Sequence, residues 1–395
     1  MQIIDLEEET PQIMSRSELR QDSVEALHRL HHERVSIEFP SPLDTQNYVL
    51  RSKGCVGTIV LPGVILRIRP KVPISNLFLM LEYAYKLKSF DFLKGNVQVD
   101  SIDGLFERLA SILSKRVLDR ARRGLYADYV DRNDVLPYVR GRIRPIPTML
   151  SILRGLPKVD CEYEEHTVDL DDNRILAWTL YLLSRSSLQR KDVRCRVSHA
   201  FRTLSNVVEV SQVNPKDCSN RSYHKLNEDY RPLHGLCRFF LEHQGPSIET
   251  GEHDFIPFIV DMPSLFESFV AEWLRTKVPD DIRVRTQHRI VIEKNTLLAF
   301  KIDIVLSDSS SDRVFAVLDT KYKRHDRPDS SDVAQVIADA TQMHTQNAIL
   351  VYPSTATRLI DMPGDVHVRS LPFDLGGDIE KSGELLLDGL LRFLR

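Results

Sequence analysis

VFAVLD (314–319) is apolar at five consecutive positions and then ends in an acid, with Lys321 two residues further on. A strand that is apolar at every position, and not at every second one, belongs in a sheet interior with both faces covered. The flanking segments fit such a sheet. LFESFVAEWL (265–274) is an amphipathic helix with Leu265, Phe266, Phe269, Val270, Trp273 and Leu274 on one broad face, and SDVAQVIADATQMHTQ (331–346) reads as a second helix. RVRTQHRIVI (283–292), LLAFKIDIVL (297–306) and RVFAVLDTKY (313–322) read as strands, the last two joined by the polar turn SDSSSD, and AILVYP (348–353) as a strand after the second helix. The predicted order is α, β, β, β, α, β.

Upstream the pattern is different. Between about 35 and 75, VSIEF, YVLRS and GTIVLPGVILRIRPKV read as strands punctuated by Gly57, Pro62, Gly63 and Pro70. LFLMLEYAYKLKSF (77–90), GLFERLASILSKRVLDRARRGL, NRILAWTLYLLSRSSL (173–188) and GLCRFFLEHQ (235–244) then carry helical periodicity. The expected organisation is a mixed α+β and α/β multidomain chain. It comprises a β-rich, partner-binding N-terminal module (1–95), a mainly helical middle with a basic surface (96–249) and a catalytic C-terminal domain (250–395).

A chain of 395 residues is long enough for roughly two to four domains with cores of their own. The acidic start MQIIDLEEET is unlike a signal peptide, and no apolar run reaches the roughly 18 residues of a membrane span, so a cytoplasmic protein is expected. The five cysteines lie 19 or more residues apart and form no CxxC pair, which predicts reduced, ordinary thiols. His28, His31 and His32 have helical spacing but no acidic or cysteine partner set, and are read as a solvated helix face. No GxxxxGK[ST] occurs, so the chain is not expected to hydrolyse nucleoside triphosphates by itself.

The chemistry is expected where the apolar strands carry acids. Period two puts Asp319 and Lys321 on one face, and IDIVL embeds the single acid Asp303 among apolar neighbours, where an uncompensated carboxylate is costly. A divalent cation compensates it: Mg²⁺, with Mn²⁺ as a substitute, takes one or two carboxylates, several waters and substrate phosphate. Asp303 and Asp319 are the predicted ligands. Lys321 would orient a water or stabilise charge building on the phosphate, and the reaction class is phosphodiester hydrolysis. The competing reading is a salt-bridged strand end. An acid-x-Lys triplet should occur by chance roughly two or three times in such a chain; here it occurs once, at the end of an apolar strand.

Register offers a check. Asp303 lies opposite Asp319 if pairing is centred near Ser311, whereas a hairpin centred on Ser309 and Ser310 would separate the carboxylates by roughly 10 Å. The first register is predicted. Glu267 could bring a third carboxylate to the cation, although Ser264 to Glu267 also spells an S-x-x-E capping box. Gln335, one turn after Asp332, could position DNA or the water, or belong to a solvated polar face.

The formal charge of -3, from 53 basic and 56 acidic residues, hides local imbalance. Residues 115–155 hold ten Arg or Lys against four Asp, and 185–225 nine against three, a net of +6 each. RGLYADYVDRNDVLPYVRGRIRP interleaves tyrosine with arginine, so Arg122, Arg123, Arg140, Arg142 and Arg144 are candidates for DNA or partner contact; a solvated surface is the other reading.

Asp303, Asp319 and Lys321 between their two helices resemble a PD-(D/E)XK nuclease core of restriction-endonuclease type. VGTIVLPGVILRIRPKV, LFLMLEYAY, RRGLYADYV with VRGRIRP, and DLDDNRIL resemble the McrC family, the nuclease subunits of McrBC-type modification-dependent restriction systems, over roughly 45 to 375. The resemblance implies an AAA+ GTPase ring, McrB, that recognises modified DNA and is stimulated by its nuclease subunit. It also implies Mg²⁺-dependent cutting of double-stranded DNA, and a homodimer through the nuclease domain is a further expectation. Ile302 stands where the family has proline before its first aspartate; proline there is no ligand, so activity is expected to survive with a less constrained backbone. Two alternatives stay open: a nuclease-like adaptor that mainly activates a ring, and a free-standing repair or recombination nuclease.

Overall fold

The apolar, β-branched text between 35 and 69 forms strands Val35–Glu38, Asn47–Ser52, Cys55–Leu61 and Val64–Arg69, as its composition predicts. The computed structural model describes residues 2–40, 47–87, 101–186, 188–219, 221–243, 248–250, 253–255, 258–293, 298–323, 328–353, 358–360 and 365–394. The expected helix over 77–90 is observed as Ile74–Ala84; residues 88–90, like the expected domain boundary at 95, lie outside the described residues.

Contacts divide the chain into two units. Met1–Phe106 and His243–Arg395 form the first, and Glu107–Glu242 the second. The first unit contains a four-stranded sheet in the order Gln2–Glu7, Val64–Arg69, Cys55–Leu61, Phe258–Asp261, so a strand that follows the second unit in sequence completes the N-terminal sheet. Gly57 makes this possible. At φ 134° it lies against the strand Phe258–Asp261, where a Cβ would fall 2.2 Å from the Phe258 carbonyl oxygen. Leu6, Leu27, Leu50, Ile59, Leu66, Ile68 and Ile259 pack into one core beneath it.

A second sheet of the same unit runs Ile282–Glu293, Leu298–Asp308, Val314–Thr320, Asn347–Tyr352, His367–Pro372, Arg358–Ile360. The first two pairings are antiparallel, the next two parallel, and the last antiparallel. Helix Ser330–Gln342 makes the crossover between the central parallel strands, and Val333, Val336 and Ala340 pack on Val305, Val317, Ala348 and Leu350. Helix Met262–Lys277 buries the predicted stripe of Leu265, Phe266, Phe269, Val270, Trp273 and Leu274. The α, β, β, β, α, β order is therefore present, extended by two strands and the helix Ile379–Leu394.

The second unit is less helical than its periodicity suggests. Helices Asp171–Ser184, Lys191–Ser205 and Tyr230–Glu242 are joined by an antiparallel sheet in the order Asp128–Leu136, Val159–Thr167, Arg142–Ile143. Charged residues at nearly half of the positions of these strands leave little alternation to reveal them. Helix Pro145–Leu153, inserted between two of these strands, buries none of its residues.

His31 departs from the solvated face expected of the histidine triplet. His28 and His32 are exposed, but His31 is buried, and burial with Arg34 nearby pushes its imidazole down to about 4. Its place on the inner face of helix Gln21–His31, with Val24 and Leu27, outweighs its polarity. All five cysteines are free thiols. Among the described residues no helix is long and apolar enough to cross a membrane.

Candidate active site

The hairpin that carries the two aspartates has the predicted register. Ile304 pairs with Leu318 and Val305 with Val317, which sets Asp303 opposite Asp319 one step beyond the last ladder pair. Nearer the turn, Leu306 pairs with Ala316 but Ser307 with Val314, so Phe315 is an extra residue in a bulge. The bulge reconciles a turn centred on the serines with a core register centred on Ser311. Thr345 Oγ1 and Asn347 Nδ2 donate to the Phe315 carbonyl and hold it in place.

Beyond the ladder, side chains replace backbone partners. Thr320 donates its N–H (3.1 Å) and its hydroxyl (3.2 Å) to Asp303 Oδ2. Asp319 is 2% exposed and its Oδ2 has no hydrogen-bond partner, although Lys321 Nζ lies 2.9 Å away as an ion pair outside hydrogen-bond alignment. Burial pushes the Asp319 carboxyl up to about 7; Lys321 opposes the rise, while Asp303 and Asp339 add to it. Lys321 Nζ donates to Gln335 Oε1 at 3.0 Å, so the predicted lysine and glutamine meet.

Glu267 is not a capping residue. Asp261 caps its helix by accepting from the Ser264 N–H at 2.8 Å, and the S-x-x-E spelling lies one turn inside. Glu267 instead turns towards the acids: burial and then the charge of Asp303 raise its carboxyl, with Lys301 at 4.0 Å and the Gln287 side chain pulling the other way. Asp332 is held mainly by Lys323 at 3.2 Å and Tyr352 at 3.1 Å, with Lys321 at 4.0 Å as a longer ion pair. Ile302, in the place of the resembled proline, is a buried member of the sheet core.

Sequence reasoning missed Asp339. It is 2% exposed on the Gln335 helix, and burial followed by the charge of Asp303 pushes its carboxyl up to about 6. The available signal was helical spacing: Asp332, Gln335 and Asp339 follow at i, i+3 and i+7 on one face.

Asp303 and Asp319 are the pair that could hold a divalent cation. Asp303 Oδ1 accepts from no described donor, and Asp319 Oδ2 is buried with the Lys321 ion pair but no aligned hydrogen bond, which leaves both oxygens able to face a cation. Among the described residues no three His, Cys, Asp or Glu side chains form a cage by themselves. An ion there would complete its shell with water and phosphate oxygens, the habit of Mg²⁺.

The basic candidates of the second unit are mostly engaged. Arg122 pairs with Asp119 (3.2 Å), Arg123 donates to the Asp119 carbonyl (3.3 Å), Arg140 pairs with Glu165 (3.3 Å) and stacks on Tyr163, and Arg144 pairs with Asp160 (3.2 Å). Only the Arg142 side chain has no partner among the described residues. A polar cavity of about 570 Å³ in this unit is lined by Tyr126, Asp128, Asp169, Arg174 and Arg221, among others. Its arginines are matched internally, Arg174 with Asp169 and Arg221 with Asp172. Nearby, Asn173 ties Tyr126 to Tyr230, so RRGLYADYV and DLDDNRIL hold the unit together.

The model of the family described as the McrBC 5-methylcytosine restriction system component matches residues 50–353, more than half of the chain. The chain belongs to this family. The Escherichia coli K12 type IV methyl-directed restriction enzyme EcoKMcrBC is 22% identical over 261 residues, covering 64% of this chain and 74% of that protein. A chain of the Thermococcus gammatolerans assembly of McrB AAA+ hexamers with bound McrC is similar in fold, with a TM-score of 0.55 at 18% identity over 99% of each chain.

Proposed function

We propose that this McrBC component is the DNA endonuclease subunit of its restriction system, with a PD-(D/E)XK core that cuts modified double-stranded DNA in the presence of Mg²⁺. The observation that carries this reading is the register that sets Asp303 opposite Asp319 with Lys321 at 2.9 Å. Mg²⁺ bound there would polarise the scissile phosphate and acidify a water. Asp303, oriented by Thr320, and Asp319 hold the cation. Lys321, steadied by Gln335, faces the phosphate and stabilises the negative charge that builds on it. Glu267 takes the third acidic position beside Asp303.

The same reading includes an AAA+ GTPase ring of McrB type, whose hydrolysis the chain stimulates. Helix Pro145–Leu153 supports a partner in the second unit: Ile146 is 71% and Leu153 75% exposed, with Met149, Leu150 and Ile152 between them. The paired arginines favour a protein partner over DNA for this surface. The intact acidic pair and lysine argue against an adaptor that does not cut, since a decayed nuclease would be expected to lose one of them.

Purified chain with Mg²⁺ should cut methylated DNA only when a ring protein of McrB type and GTP are present. Cutting of unmodified DNA by the chain alone would favour the free-standing nuclease, and GTPase stimulation without any cutting would favour the adaptor.

A further inference from the structure

Asp339 is a buried acid without a partner among the described residues. Its carboxylate makes no hydrogen bond or ion pair with any described residue, although the chain also buries Asp332 and provides it with Lys323 and Tyr352. A desolvated carboxylate without a partner is unfavourable, so a position that keeps one has a use for it or bears a cost.

Its location suggests the use. Asp303 and Asp319 occupy the same sheet face as Val305 and Val317, by period two, and that face packs against Val333, Val336 and Ala340 of the Gln335 helix. Asp339 is one helical turn beyond Gln335, which holds Lys321 Nζ, and is next to Ala340 in this packing. The charges of Asp303, Asp319 and Lys321 are all coupled to it. The Lys321 ammonium lies 2.9 Å from Asp319 and 4.0 Å from Asp332, so the helix and the strand bring their acids to the same place. The described residues form no cage of three direct ligands, so Asp339 is placed to act from outside the ion's first shell.

We propose that Asp339 is a positioning residue for the divalent cation of Asp303 and Asp319, accepting hydrogen bonds from the water the cation carries. The inference rests on the endonuclease reading of this site. Carboxylates around a bound ion commonly orient its first shell in this way, and their loss typically costs about 10–100-fold in metal affinity.

Mn²⁺ is the probe, titrated into the full chain without DNA and followed by electron paramagnetic resonance of the free ion. Asp339→Asn should weaken Mn²⁺ binding by about 10–100-fold while circular dichroism shows an unchanged fold. Asp339→Ser serves as a second variant if the first does not fold. The structural alternative makes a different prediction: an Asn that merely relieves a buried charge would stabilise the metal-free protein and leave Mn²⁺ affinity unchanged, which would overturn the proposal. Asp319→Asn separates the two levels. If it abolishes Mn²⁺ binding and Asp339→Asn does nothing, only the role of Asp339 fails. If neither matters, the cation site itself is wrong.

Discussion

Thr320 places both of its donors, backbone and hydroxyl, on the same oxygen of Asp303, at 3.1 and 3.2 Å. The contact lies one step past the Ile304 and Leu318 pair, where the ladder between the two strands ends. It fixes the rotamer of Asp303 and leaves the other carboxylate oxygen without a described donor. Thr320→Val keeps the N–H bond and loses the hydroxyl. It is expected to weaken Mn²⁺ binding by about 10-fold, the lower end for a residue that orients a ligand, with little change in melting temperature. Unchanged affinity in a direct titration would mean that the backbone bond alone sets Asp303.

Asp319→Asn and Lys321→Ala should each reduce cleavage by at least about 100-fold, the scale of losing one stabilising group at a developing charge. Both variants should still bind the ring protein and stimulate its GTPase. The assay is cleavage of methylated DNA alongside GTPase rate; retention of cutting by either variant removes that residue from the site.

The hairpin was legible because its strands obey simple periodicity; counting across the serine turn left two registers open, and bringing the two acids together selected the one centred on Ser311. The bulge at Phe315 was not legible: its cause is Thr345 and Asn347, some 30 residues away, gripping one carbonyl. Glu267 was ambiguous for a local reason. Ser264 and Glu267 match a capping box, but Asp261 starts the helix one turn earlier, and no local rule ranks the two caps. Asp339 was hidden because a lone acid on a helix usually faces solvent. Its burial depends on how closely Ala340 and Val336 approach the sheet. The exposed apolar helix of the second unit was missed because sequence alone cannot show that an apolar stretch lacks a covering surface.

Gly57→Ala tests the seam between the N-terminal strands and Phe258–Asp261. A Cβ at φ 134° would meet the Phe258 carbonyl at 2.2 Å, and Phe258–Asp261 leads directly into the Glu267 helix. Backbone cannot yield as a side chain can, so a loss of about 1–3 kcal/mol is expected. Chemical denaturation would measure it, and a variant as stable as the parent would show that the strand shifts freely.

Ile146→Ser with Leu153→Ser should leave stability within about 0.5 kcal/mol, since neither side chain is buried. The pair should weaken binding to the ring protein and lower GTPase stimulation, while Mn²⁺ affinity stays at the parent value. Full stimulation by the double variant would place the partner contact elsewhere.

Glu8 provides a pH test independent of the acidic site. It is 3% exposed, accepts from the Lys71 N–H (3.0 Å) and Tyr322 hydroxyl (3.3 Å) on Oε2, and leaves Oε1 buried without a partner. Burial pushes its carboxyl from 4.5 up to about 7, against the pull of Lys71. A raised carboxyl binds its proton more tightly in the folded chain than in the unfolded one. Its stabilising effect is therefore complete below about pH 4.5 and is lost as the pH rises through about 7. Glu8→Gln keeps the shape and removes the titration. Relative to the parent it should be neutral or slightly destabilising at pH 5 and more stable at pH 8, by at most about 3 kcal/mol. Melting temperatures of both proteins across this range, taken without divalent cations, check the sign: a difference that does not change between pH 5 and pH 8 would mean that Glu8 stays ionised in the fold.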